Sequence, residues 1–227
     1  MRLRNHLLCK RWRNMEDIRP TTLERIHSAA KREFLEKGFL GASLRNIVKC
    51  AGVTTGAFYG YYDSKEKLFD ALVSEQYEHI MDMYVSTHNS FKELNADEQQ
   101  ANMGKISGDC LEQMIEYMYA NEDEFRLILM CSKGTRYENM VHEMSEVEVQ
   151  ATHDFVEVMR KNGIEVREID PKLEHVLVSG MFTAFFELLI HKNDIGEAKT
   201  YLKQLREFYT AGWMRLFDMC DIQKKDI

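Results

Sequence analysis

Pro20 and Pro171 are the only prolines among 227 residues, so long unbroken helices are permitted and a many-turned β architecture is disfavoured. Cysteine is also sparse. Cys9, Cys50, Cys110, Cys131 and Cys220 are odd in number and widely scattered, with no C-x-x-C pair, which excludes a zinc cluster or a disulfide framework of recognisable spacing. A reduced, cytoplasmic setting fits. The basic start, Met1 to Lys10, has little apolar character beyond Leu7 and Leu8, far short of an export signal. The longest apolar run, His175 to His191, falls short of the roughly 20 residues of a spanning helix and contains Glu187, so it reads as a buried helix and no membrane partner is expected. No Gly-rich phosphate loop, nucleophile elbow or Ser/His/Asp or Cys/His constellation is present, so an enzyme is the weaker reading.

What is present is a core-forming composition, 44% apolar and 11% aromatic, and a strong separation of charge. Residues 1 to 67 hold 14 Lys and Arg against 7 Asp and Glu, a net +7, whereas residues 68 to 227 carry −14. A basic head gains from counterion release at phosphates, and an acidic body keeps contact confined to that head.

Residues 1–19 show no apolar period and read either as a basic disordered arm or as an extension ahead of a start at Met15. Leu23, Ile26, Ala30 and Phe34 share one face of a helix from about Thr22 to Lys37, which Gly38 can close in a left-handed cap. Ser43 suits the N-cap of a two-turn helix through Cys50. Ala51-Gly52-Val53 has the small, positive-φ and apolar residues of a tight helix-turn-helix corner, and a third helix runs from Thr54 or Thr55 to Tyr61. Asp63-Ser64 caps a long fourth helix, with Glu66 near the capping-box position. Thr87 to Gln100 is polar and reads as a loop; helical patterns resume over 106–119, 122–131, 141–161, 171–191 and 198–219.

From Leu23 to about Phe69, the stretches AAKREFLEKGF, SLRNIVKCAGV and TTGAFYGYYDSKEKLF resemble the tetracycline-repressor (TetR) family of regulators. The resemblance implies an all-α protein with a three-helix DNA-binding head over residues 20–66 and a helical ligand-sensing and dimerising body over 67–227. It implies a homodimer on operator DNA, most often as a repressor. Thr54, Thr55, Gly56 and Ala57 are small enough to let a recognition helix sink into the major groove. Tyr59 and Tyr61 are expected at the groove wall, with Phe58 and Tyr62 turned to the core; Arg45 matches the position that reaches a base, and Ser43 and Lys65 serve as phosphate contacts, helix caps or both. Gly60 departs from the bulkier residue usual in the family, and Val48 from a commoner alanine, so the base-reading pattern does not transfer whole.

In the body, Gly180, Ala184, Leu188, Leu205, Tyr209, Gly212 and Leu216 are the expected dimer contacts, mid-helix glycine being unfavourable unless a close helix crossing offsets it. Met114, Tyr117, Met118, Phe125, Met130, Phe182, Phe185 and Phe186 are candidate walls for a small apolar or amphipathic ligand, although such a stripe is usually core. A docking surface for a partner protein is the alternative to a pocket. His142 with Glu146, and Glu138 with His142, have metal-compatible spacing, but a solvated acidic face is the expected role; no metal or cofactor is expected. Cys110 and Cys131 are expected as small core residues rather than redox switches.

Overall fold

The computed structural model describes residues 20–191 and 194–219, and all regular structure among them is helical. The basic arm over residues 1–19 lies outside the described residues, as do Cys9 and Cys220. Among the described residues the first four helices are α1 (Thr22–Gly41), α2 (Leu44–Ala51), α3 (Thr55–Tyr59) and α4 (Lys65–Lys92). They are followed by α5 (Ala96–Asn102), α6 (Lys105–Ala120), α7 (Glu122–Arg126), a π-helical turn (Leu127–Cys131), α8 (Met140–Lys161), α9 (Pro171–Ile190) and α10 (Ile195–Leu216).

Local chemistry sets most of these boundaries. Thr21 and Glu24 form a reciprocal capping box at the start of α1. Gly38, at φ 67°, breaks α1 as expected, but the last turn continues beyond it to Gly41. Asp170 accepts from the backbone of Lys172 and Leu173, with Pro171 in the first turn of α9, and Gly163 takes φ 79° just after α8.

One expectation fails between α4 and α6. The polar stretch expected as a loop from Thr87 instead continues α4 to Lys92 and then forms α5. Polarity there marks an exposed face, not an absence of helix: Asn95 and Glu98 make a second capping box, Gln99 is buried with its amide donating to Lys92 O and Leu94 O, and Phe91 packs 6.2 Å from Phe155.

The main core runs from the head into the body without a gap. Ile26, Phe34, Ile47 and Phe58 pack with Leu68, Phe69 and Leu72 of α4, and the same cluster continues through Ile80, Met114, Phe125 and Phe182. The expected boundary at residues 66 and 67 therefore falls inside one helix whose first turns complete the head. At 28 residues, α4 is about 42 Å long. A second, smaller cluster at its far end joins Phe155, Met159, Val166, Met214 and Phe217.

α9 is long and apolar enough to cross a membrane by length and composition. It nevertheless buries Val178, Phe182, Phe185, Phe186 and Leu189 in the main core, and its buried Glu174 lies 2.7 Å from His153 of α8. Those features belong to a core helix.

Candidate nucleic-acid interface

The corner between α2 and α3 is built by backbone bonds that need its glycine. Gly52 sits at φ 62°, its N–H donates to Lys49 O, the Val53 N–H donates to Val48 O at 3.2 Å, and Arg25 of α1 reaches Gly52 O at 3.4 Å. Thr54 then caps α3, its hydroxyl accepting from the Ala57 N–H at 3.1 Å.

With Phe58 buried, α3 turns its remaining residues outward. Thr54, Thr55, Gly56 and Ala57 are exposed, Tyr59 is 53% and Tyr61 50% accessible, and Arg45 is exposed near the start of α2. Exposed tyrosines offer an apolar ring and a hydroxyl together, which suits contact with a surface that is part polar and part apolar. Tyr62 packs inward as expected and shares a hydrogen bond with His27. Burial pushes the Tyr62 hydroxyl up and, with a lesser effect of Lys31, the His27 imidazole down, which keeps the pair neutral.

Ser43 and Lys65 sit differently from the rest. Ser43 occupies the N-cap of α2, but its side chain makes no cap bond; its N–H donates instead to Glu33 at 3.1 Å. The ammonium of Lys65 donates to Phe39 O at 2.7 Å and Ala42 O at 3.2 Å and lies 4.5 Å from the Phe39 ring centroid. It satisfies carbonyls left open where α1 ends, so the cap role is the one visible here. Glu33 ties the same corner from below, accepting also from Lys37 and Asn46, and these bonds, led by Lys37, hold its carboxyl below the usual range.

The expected ligand walls are displaced by the packing. Met114, Met118, Phe125, Phe182, Phe185 and Phe186 are fully buried core, Tyr117 stacks 4.1 Å from the His79 ring, and Met130 is 52% exposed on the π-helical turn. Of these, Phe182 and Phe185 border a void of about 20 Å³ that is too small for a ligand. A larger cavity, about 150 Å³, opens where the two core clusters meet, between α4, α5, α6, α8 and α10. Phe91, Leu111, Phe155, Trp213 and Phe217 form its apolar walls, and His88, Glu148 and Arg206 bring charge to it. Gly104 at the N-cap of α6 and Gly108 in its first turn were the signal in the sequence for this close approach.

The expected dimer residues divide. Gly180 and Gly212 are exposed, while Ala184, Leu188 and Leu216 are half-buried. Leu205 and Tyr209 line cavities inside their own chain, and Tyr209 Oη lies 3.4 Å from where a Gly180 Cβ would sit. The exposed apolar residues of α9 and α10 are Leu173, Val176, Ile195, Tyr201 and, at 73%, Phe208. The stripe reading missed Phe208 because it lies beside the intramolecular stripe rather than on it.

His142 and Glu146 of α8 stand close to His175 of α9, with potential ligand atoms all within 4.8 Å of one another. His142 and Glu146 are exposed, and Glu146 lies 3.5 Å from His175, so ion pairing accounts for the grouping. Cys110 and Cys131 are buried, which pushes both thiols up and away from reactive thiolate.

A compact helical head with a short exposed helix held behind a glycine corner is a helix-turn-helix unit. Residues 26–72 match the family model described as bacterial regulatory proteins, tetR family. The HTH-type transcriptional regulator YdgC of Bacillus subtilis is 42% identical over 52 residues, 23% of this chain and 27% of that protein. UidR of Escherichia coli, another HTH-type transcriptional regulator, is 34% identical over 68 residues, 30% of this chain and 35% of its own length. The match thus spans about a third or less of these relatives.

Likeness beyond the head is a likeness of fold. A transcriptional regulator of the TerR/AcrR family from Aquifex aeolicus superimposes over 84% of this chain and 99% of its own, with a TM-score of 0.51 and 21% identity. A tetR-family regulatory protein from Rhodococcus covers 82% and 96%, with a TM-score of 0.50 and 14% identity.

Proposed function

We propose that this protein is a cytoplasmic, sequence-specific DNA-binding transcriptional regulator, acting as a homodimeric repressor whose operator binding is changed by a small molecule held in the helical body. One observation carries the DNA-binding part: Arg45, Thr54, Thr55, Gly56, Ala57, Tyr59 and Tyr61 are all exposed on a helix-turn-helix whose opposite side is pinned by Ile47 and Phe58. Short side chains allow close approach, the tyrosines reach phosphate and thymine methyl, and arginine suits guanine.

The exposed apolar residues of α9 and α10 support pairing of two copies, which would present two heads to half-sites one helical turn apart. The cavity supports a small molecule over a partner protein as the signal. Its link to the head is α4: Thr87 and His88 line the cavity at one end of the helix, and Lys65 fastens the head at the other. A ligand can shift this equilibrium only by binding the two head spacings unequally.

The test is selection from randomised duplex DNA with the native protein and an Arg45→Ala, Tyr59→Ala double variant. A pseudo-palindromic site should be enriched by the native protein, and the variant should bind it at least about tenfold more weakly, since one bidentate base contact contributes roughly 1–3 kcal/mol. No enrichment, or equal binding by the variant, would sink the assignment of the head.

A further inference from the structure

The cavity between the two core clusters is lined by a guanidinium, that of Arg206, which forms no ion pair among the described residues. Arg206 of α10 projects against α6, where its guanidinium occupies the space that a side chain at Gly108 would need: a Cβ there would lie 1.6 Å from Nη2. Nη2 donates to Gly104 O at 3.2 Å. Among the described residues no carboxylate lies within ion-pair distance of it. Among the described residues four of the five guanidinium N–H donors therefore have no protein acceptor, beside walls formed by Phe155, Trp213 and Phe217.

The acid that lines the same cavity, Glu148, forms no ion pair with Arg206. Glu148 accepts from the Tyr84 hydroxyl and lies 3.1 Å from His88 Nε2. Burial pushes the Glu148 carboxyl up, but His88 and Tyr84 more than offset this and hold it below the usual range. Glu148 is thus ionised and already matched within its own side of the cavity. A second negative group on the ligand would meet that charge, whereas one negative group at Arg206 would find a fork of donors suited to a carboxylate. At about 150 Å³ the partly open space holds one ring or a short chain. No side chain caps the first turn of α6 beside it, which leaves that end of the cavity electropositive as well.

From the unpaired Arg206 in this apolar cavity we infer that the effector is a small monocarboxylate with an aromatic or short aliphatic body, its carboxylate held by Arg206 and its body against Trp213 and Phe155. This rests on the reading of the body as a ligand sensor.

The full chain carrying Trp12→Phe leaves Trp213 as its one indole and lets emission report the cavity itself. Titration with benzoate and hexanoate, against benzamide and hexanamide, should show the acids changing Trp213 emission and binding about tenfold or more tightly than their amides, the scale of a charge-assisted pair. Arg206→Gln should remove that preference while leaving amide binding unchanged, which also shows that the variant folds, and Arg206→Lys should restore part of it. Equal binding of acid and amide, or no change in Trp213 emission with any probe, overturns the carboxylate site. If Arg206-dependent acid binding is found but leaves operator affinity unchanged, the site stands and the reading of ligand control falls.

Discussion

The two ends of α4 are finished in opposite ways. At its start Phe69 sits between Phe34 and Phe39, edge-on at 5.1 and 5.4 Å, with Tyr137 on a further side, and the ring is wholly buried. At its end Phe91 and Phe155 border empty volume and charges that are not all paired. On the function proposed above, a surface that reads DNA must hold its geometry, so its support is filled, whereas a sensor must keep space that a ligand can fill, and each unfilled volume costs stability. One helix joins a finished end to an unfinished one.

The largest expected effect tests this contrast directly. Phe69→Ala should cost about 3–5 kcal/mol, the range for a buried phenylalanine, and abolish DNA binding through loss of the folded head. Phe155→Ala, beside an existing cavity, should cost clearly less and leave operator binding near native. Urea midpoints of the two variants measure the difference; equal losses would mean that both ends are packed alike.

A smaller effect, on acid sensitivity, is shared by the two ends. The folded-state carboxyls of Glu33 and Glu148 lie below their ordinary value of 4.5. Their stabilisation is therefore fully present above that value and is lost as pH falls through the lowered ones. Melting temperature should fall below about pH 4.5, with the native protein losing more than Glu33→Gln, which lacks one of the two groups. At pH 7 the same substitution should cost about 1 kcal/mol, because the amide keeps only part of the acceptor set offered to Lys37, Ser43 and Asn46. A native melting temperature that stays flat from pH 7 to pH 3 would contradict the role given to both carboxylates.

The same contrast explains what was legible in the sequence. The head could be read residue by residue because its constraints are local: Gly38 and Gly52 take the positive φ expected of them, and Phe58 faces inward while Tyr59 faces out. Lys65 was less legible, since its carbonyl partners lie 23 and 26 residues away. The cavity could not be read from periodicity at all. A helical stripe such as Met114, Met118, Phe182 and Phe186 shows that a face is covered, but packing decides whether side chains or a void cover it, and here they fill the core. Arg206 carried no periodic signal, and its position is set by the space at Gly108 on another helix. The polar stretch after Thr87 was misread because capping boxes and exposed helix faces use the same residues as loops.

The smallest effect concerns the face of α9 and α10. Gly212 is exposed near the C-terminal end of α10, and nothing lies within 4 Å of a Cβ built there. In an isolated chain Gly212→Ala should therefore stabilise the helix by up to about 1 kcal/mol. If a second copy crosses closely at this glycine, the added methyl group must push the helices apart, and association should weaken severalfold although each chain gains helix stability. Sedimentation equilibrium separates these terms, as does the melting temperature at two protein concentrations, because only association depends on concentration. We expect the dimer to weaken, and Phe208→Ser to weaken it further by removing the most exposed apolar side chain of the face. A gain in melting temperature that is the same at both concentrations would instead leave Gly212 facing water and remove α10 from the pairing of the two heads.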